Sequence, residues 1–189
     1  MGRMFGFVGW PGAGKDEAAD YLQSRYGARR FGHSDFIRTL AAQQGRQGIL
    51  PTADLSPIFE DQAAKEGYGW IACQVAKAIR ELWVEKPETL VVVSGVRNLA
   101  EVEVYRELSG FQLVRLKAGF DVRCKRAQGR ERLGEKGLTR SRFEAIERLP
   151  GNANIPALME LPGPVIVNNG ADKLDFHRAL DRLVHGISD

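Results

Sequence analysis

A chain of 189 residues with 43% apolar side chains can bury one full hydrophobic core, and its length suits a single α/β domain. The formal charge of +3, with no polybasic run, excludes a polybasic tail; it is no nucleic-acid signature by itself and fits an anionic small ligand equally well, and nucleic acid is not the expected partner. Two cysteines, Cys73 and Cys124, lie far apart and outside any Cys-x-x-Cys pair, which excludes a disulfide scaffold and a zinc ribbon, and no apolar stretch reaches membrane-spanning length. The expectation is a cytoplasmic protein with no membrane partner, a monomer or a homodimer.

In chain order, Met4 to Val8 reads as a buried strand and Asp16 to Arg25 as a helix with Ala18, Ala19 and Leu22 on its apolar stripe. Ala28 to His33 reads as a short second strand. Asp35 to Gln44 follows as a helix, with Ser34 or Asp35 as its N-cap. Gly45 to Pro57 carries loop punctuation, and Ile58 to Lys65 is helical until Gly67-Tyr68-Gly69 breaks it. Trp70 to Val84 is an amphipathic helix with Ile71, Val75, Ile79 and Leu82 on one side. Leu90 to Val93 is an unbroken apolar, β-branched run and the clearest strand. Leu99 to Leu108 then reads as a helix and Gln112 to Leu116 as a strand. Val122 to Arg132 is a basic helix, interrupted by Gly134 to Gly137, and Thr139 to Arg148 is a helix with a capping box expected from Thr139 or Ser141. Val165 to Val167 is the last strand, Asn168 to Gly170 a turn and Lys173 to Val184 a closing helix. Strand and helix alternate without hairpin signals, which argues for a parallel sheet flanked by helices.

The motif that carries chemistry is Gly9-Trp10-Pro11-Gly12-Ala13-Gly14-Lys15, a G-x-x-x-x-G-K loop between a strand and a helix. Its glycines let backbone N–H groups turn inward onto phosphate oxygens, and the helix that follows aims its positive end at the same anion. Lys15 adds a full charge. The nucleotide-binding set is therefore Gly9, Pro11, Gly12, Ala13, Gly14, Lys15, Asp16 and Glu17. Asp16 stands where this motif usually has the Ser or Thr that holds Mg²⁺. It reads either as a carboxylate ligand for Mg²⁺ or as a first-turn acid favoured by the helix dipole. Arg123, Arg126 and Arg130 are spaced three and four apart and share a helix face. Ligands of open α/β sheets sit at the carboxyl ends of strands, which puts Arg97, after the clearest strand, at the cleft. His33, His177 and His185 form no triad or metal-ligand spacing.

Gly14-Lys15-Asp16 resembles the loop variant of deoxynucleoside monophosphate kinases and animal phosphomevalonate kinases. Val93-Ser94-Gly95-Val96-Arg97 resembles their strand-end S-D-V-R motif, with Gly95 in the place of the aspartate. Ser34-Asp35-Phe36-Ile37-Arg38 resembles the acceptor-phosphate segment of adenylate kinases. The arginine-rich stretch Val122 to Arg132 resembles the lid arm of nucleotide kinases, and Val165 to Gly170 the strand ending of dephospho-coenzyme A kinases near the adenine. The resemblance implies the P-loop nucleotide kinase fold, a three-layer α/β/α domain with a five-stranded parallel sheet. Residues 35–70 would form its acceptor-binding insert and 122–140 its lid. It implies ATP and Mg²⁺ as cofactors and a small phosphorylated acceptor, most simply a nucleoside monophosphate. Lys15, Arg126 and Arg130 would be catalytic, Asp35, Arg38 and Arg97 would hold the acceptor, and Asp16 the metal. A dephospho-coenzyme A kinase-like enzyme and a regulatory nucleotide-binding protein with little turnover are the alternatives.

Overall fold

The structure, a computed structural model, describes residues 2–46, 55–129, 137–168, 170 and 173–186. Strands β1 (Met4–Val8), β2 (Arg29–Gly32), β3 (Val91–Ser94), β4 (Phe111–Lys117) and β5 (Val165–Val167) form one sheet in the order β2-β3-β1-β4-β5. Every pairing is parallel, with Met4 opposite Val91 on one side and Phe111 on the other. Each link between strands carries helix, as parallel pairing requires. These helices are α1 (Lys15–Tyr26), α2 (His33–Gln43), α3 (Leu55–Glu66), α4 (Trp70–Glu85), α5 (Leu99–Arg106), α6 (Phe120–Gln128), α7 (Arg140–Glu147), α8 (Ile155–Met159) and α9 (Lys173–His185).

Residues of one strand alternate between two cores because successive side chains leave opposite faces of a sheet. Met4 and Val8 pack with α4, α5 and α8, whereas Phe5 and Phe7 pack with α1 and α9. This is the three-layer α/β/α arrangement expected, with five parallel strands. Central strand β1 is buried along its whole length, so the loop that follows it starts from a rigid platform. Two smaller cores lie outside the layers. One joins α2, α3 and α4 around Ile37, Ile58, Trp70 and Ile71. The other joins α6 to α7 around Cys124, Ala127, Leu138 and Phe143.

Several expectations are corrected. Helix α2 begins at His33, so neither Ser34 nor Asp35 caps it; Gly32 occupies the N-cap without a side-chain bond. Thr139 caps α7 by accepting from the Arg142 amide at 3.3 Å, but an arginine at the third position cannot complete a capping box. A turn of 3₁₀ helix at Pro150–Asn152 and the short helix α8 were not anticipated. Arg130, Arg132 and most of the Gly45 to Pro57 loop lie outside the described residues. Among the described residues no helix is long and apolar enough to cross a membrane, and both cysteines are free.

Candidate phosphate-binding site

The Gly9–Lys15 loop leaves the carboxyl end of β1 and turns at once into α1. Gly12 and Gly14 have φ of +79° and +103°, and Gly14 is the N-cap of α1. A Cβ at Gly12 would lie 2.8 Å from the Arg123 carbonyl oxygen, and one at Gly14 would lie 2.3 Å from Asn168 Nδ2. Backbone conformation and close approach therefore both demand glycine at these two places. Ala13 N donates to the Trp10 carbonyl at 3.1 Å and closes the turn. Lys15 Nζ curls back over the loop, donating to Gly9 O at 2.6 Å and Trp10 O at 3.1 Å. This is the geometry of an anion cradle: a glycine-rich turn, a helix N-terminus and one ammonium on the same side.

The two first-turn acids diverge. Asp16 leans toward β2 and pairs with Arg30 Nη2 at 2.9 Å, and Arg30 also pairs with Asp20. Glu17 was expected in the nucleotide set, but its carboxylate turns the other way. It accepts from Lys173 at 2.8 Å and His177 Nε2 at 2.9 Å and ties α1 to α9. Burial works to raise its pKa, yet the bonds and charges of Lys173 and His177 outweigh this and hold it below the usual value. Among the described residues no cluster of three or more His, Cys, Asp or Glu could hold a metal ion. Mg²⁺ bound with a nucleotide needs only one or two protein oxygens beside phosphate and water, and Asp16, in the motif's metal-ligand place, fits that demand.

At the end of β3, Arg97 draws several elements together. Burial lowers its pKa, opposed by the carboxylates of Glu101 and Asp16. A side chain at Gly151, in the turn after α7, would sit 3.4 Å from Arg97 Nη1 and 3.6 Å from Ser56 Oγ of α3. Arg97 thus stands near α3 and the turn after α7, and its charge is felt by Glu101 of α5 and Asp16 of α1. Its backbone is set by Glu101, whose Oε2 accepts from Arg97 N at 2.7 Å and Asn98 N at 3.1 Å. Asn154 Nδ2 donates to Asn98 Oδ1 at 2.6 Å and fastens the α8 side to the same point.

Beneath Arg97 lies a buried polar cluster that sequence reasoning missed. His33 Nε2 and Tyr105 Oη are 2.6 Å apart, and His33 Nδ1 lies 3.6 Å from Glu101 Oε1. Burial, then the Arg97 charge, push the His33 pKa down to about 3, against a backbone hydrogen bond at Gly95. Burial pushes Glu101 up to about 7, against the two amides and the charge of Arg97. The neutral imidazole makes the 3.6 Å approach a polar contact and not an ion pair.

Gly95 explains its own departure from the aspartate motif. Its φ is +98°, and a Cβ there would lie 3.2 Å from the His33 Cβ. Gly95→Asp is therefore expected to lower stability by about 2 kcal/mol, read by chemical denaturation. Unchanged stability would mean that the β3 end tolerates the side chain and that His33 does not dictate the glycine.

Asp35 and Arg38 stand in the first turns of α2, paired to each other at 3.3 Å. A side chain at Gly32 would lie 2.5 Å from Asp35 Oδ2 and 3.7 Å from Ser94 Oγ, so Asp35 and Ser94 flank the ends of β2 and β3. Of the three arginines expected on one lid face, Arg130 lies outside the described residues, and the other two do not act alike. Arg123 is buried: it donates to Ala118 O at 2.9 Å and Pro11 O at 3.3 Å, and it pairs with Glu147 of α7. Arg126 reaches Asn168, with 3.0 Å to its carbonyl and 2.9 Å to its Oδ1, and Gly170 O at 3.3 Å. A hollow lined by Trp10, Lys117, Met159 and Val167 opens beside the loop.

The sheet order and the glycine loop at the end of β1 define the P-loop kinase fold. The chain aligns with the Thermus thermophilus protein TT1252 at a TM-score of 0.65, covering 99% of this chain and 98% of that one at 18% identity. With shikimate kinase from Bacteroides thetaiotaomicron the TM-score is 0.63, covering 98% of both chains at 14% identity. The chain belongs to the UPF0200 family: it is 34% identical over 135 residues to the UPF0200 protein of Methanosarcina mazei, covering 70% of this chain and 68% of that one. It is 33% identical over 132 residues to the UPF0200/UPF0201 protein of Archaeoglobus fulgidus, covering 69% of this chain but only 39% of that longer relative. No protein-family profile matches the chain.

Proposed function

We propose that this protein is an ATP- and Mg²⁺-dependent phosphotransferase whose acceptor is a nucleoside or deoxynucleoside monophosphate. The observation that carries the reading is the Gly9–Lys15 loop with Lys15 Nζ folded over it, together with an Arg97 that feels the charge of Asp16, the residue after Lys15. The P-loop amides and Lys15 bind the donor phosphates, and Asp16 offers the oxygen for Mg²⁺, which neutralises charge on the transferring group when bound. Arg97 holds the acceptor phosphate, with Arg38 and Asp35 at the neighbouring strand end. Arg126, on the basic helix, and Arg130, outside the described residues, are the lid arginines of this reading, in the segment 122–140; residues 35–70 form the acceptor-binding insert.

The end of β3 favours this acceptor class over a sugar hydroxyl. A hydroxyl must lose a proton as it attacks, whereas a phosphate oxygen is already anionic and needs no base. Gly95 supplies no carboxylate, and the one at the neighbouring strand end, Asp35, is paired with Arg38, which suits a monophosphate better than the ribose hydroxyl of dephospho-coenzyme A. Soluble nucleotides as substrates also suit a cytoplasmic site of action.

The test is ADP release from ATP and Mg²⁺ across ribo- and deoxynucleoside monophosphates, with dephospho-coenzyme A and phosphomevalonate alongside. Turnover dependent on a nucleoside monophosphate is expected, and Arg97→Ala should raise that acceptor's KM at least about tenfold while leaving the KM for ATP unchanged. Turnover with dephospho-coenzyme A alone, or with no acceptor, would sink the reading.

A further inference from the structure

Two carbonyls of the phosphate loop are gripped from outside it. Asn168, at the end of β5 and buried, donates its Nδ2 to Ala13 O at 3.0 Å. Arg123, at the start of α6 and buried beside Trp10, Phe120 and Phe143, donates Nη1 to Pro11 O at 3.3 Å. A trans peptide is planar, so its C=O and the next residue's N–H point in opposite directions. Fixing Pro11 O toward Arg123 turns the Gly12 amide away from α6, and fixing Ala13 O toward Asn168 turns the Gly14 amide away from β5.

We infer that Arg123 and Asn168 are positioning residues for the phosphate loop, each holding one loop carbonyl so that the following glycine amide faces the bound phosphates. The inference rests on the nucleotide-binding part of the function proposed above, and not on the identity of the acceptor. Glycines are free to rotate, so a loop built from them presents its amides reliably only if something outside fixes the peptide planes. Both holders are themselves held. Glu147 and Ala118 O fix the Arg123 guanidinium. Arg126 fixes Asn168 through its Oδ1 and its carbonyl, leaving the Nδ2 of Asn168 aimed at the loop. The brace also gives Gly14 a second reason to be glycine, because a Cβ would occupy the place of the Asn168 amide.

The experiment uses the full chain with ADP and no acceptor. It combines titration calorimetry with ¹⁵N-labelled glycine amides observed by NMR. Asn168→Asp keeps an oxygen for Arg126 but removes the donor to Ala13. It should weaken ADP binding about tenfold. The Gly14 amide should lose its ADP-induced shift while the Gly12 amide keeps its own. Arg123→Met, which keeps the stem but removes every donor, should show the reverse pattern at the two glycines. Should Asn168→Asp lack a cooperative melt, Asn168→Ala, which removes the donor without adding charge, carries the same expectation. Wild-type affinity, or both glycine amides shifting as in the wild type, would overturn the brace. A wild-type chain that binds no ADP would instead refute the nucleotide site on which it rests.

Discussion

Lys15→Ala is expected to lower acceptor-dependent ADP release about a thousandfold in kcat/KM, with a change in stability of at most about 1 kcal/mol. The side chain stands on the loop through bonds to Gly9 and Trp10 carbonyls, groups that water can serve in its absence. In the proposed function its ammonium is the full charge that the loop brings to the phosphates. Phosphoryl transfer is driven by positioning and charge neutralisation, so losing that charge weakens the transition state more than it weakens the fold. Steady-state kinetics and a thermal melt on the same preparation check both halves. Turnover retained within tenfold would place the phosphates elsewhere.

Glu101→Ala is expected to lower stability by about 3 kcal/mol, because its carboxylate satisfies the Arg97 and Asn98 amides at the end of β3. For a chain of this length, that is a fall in Tm of roughly 10 °C. Glu101→Gln separates the charge from the hydrogen bonds. The folded pKa of Glu101, about 7, lies above the ordinary 4.5, so the stability it contributes is full below pH 4.5 and is lost as pH rises through 7. His33 has the opposite sign: its folded value of about 3 lies below 6.5, so its contribution is present above pH 6.5 and is lost as pH falls through 3. Between 4.5 and 6.5 the two slopes oppose each other. Glu101→Gln leaves His33 alone, and stability should then rise with pH across that window by up to about 1.4 kcal/mol per pH unit. Denaturant melts at the two ends of the window read the slope. A flat profile in Glu101→Gln would mean that His33 titrates normally and that the buried cluster is misjudged.

The fold was legible in the sequence because its strongest signals are local. An unbroken Val91-Val92-Val93 run and a Gly-Lys loop after an apolar strand have few other readings. The loop is legible for a further reason: close backbone approach selects glycine, and glycine is visible in a sequence. What hid were directions and partners. Asp16 and Glu17 are neighbours, yet a helix rotates successive side chains by about 100°, which sends one to Arg30 and the other to α9. Only the packing of Ala18, Ala19 and Leu22 against the sheet sets that phase. Arg123 and Arg126 share a helix face on paper, but one is drawn under Trp10 and the other to Asn168, contacts separated by 112 and 42 residues. His33, Glu101 and Tyr105 come from two elements and have no spacing to announce them. Helix α8 is a short piece, stabilised by burying Ile155, Leu158 and Met159, and such pieces carry too little periodicity to be read in advance.

The most direct test of the central claim is ³¹P NMR of the protein with ATP, Mg²⁺ and the best nucleoside monophosphate. The γ-phosphate signal is expected to be replaced by a second phosphoryl resonance on the acceptor, matched one for one by ADP, with inorganic phosphate absent. Accumulation of inorganic phosphate with the acceptor unchanged would show hydrolysis without transfer and contradict it.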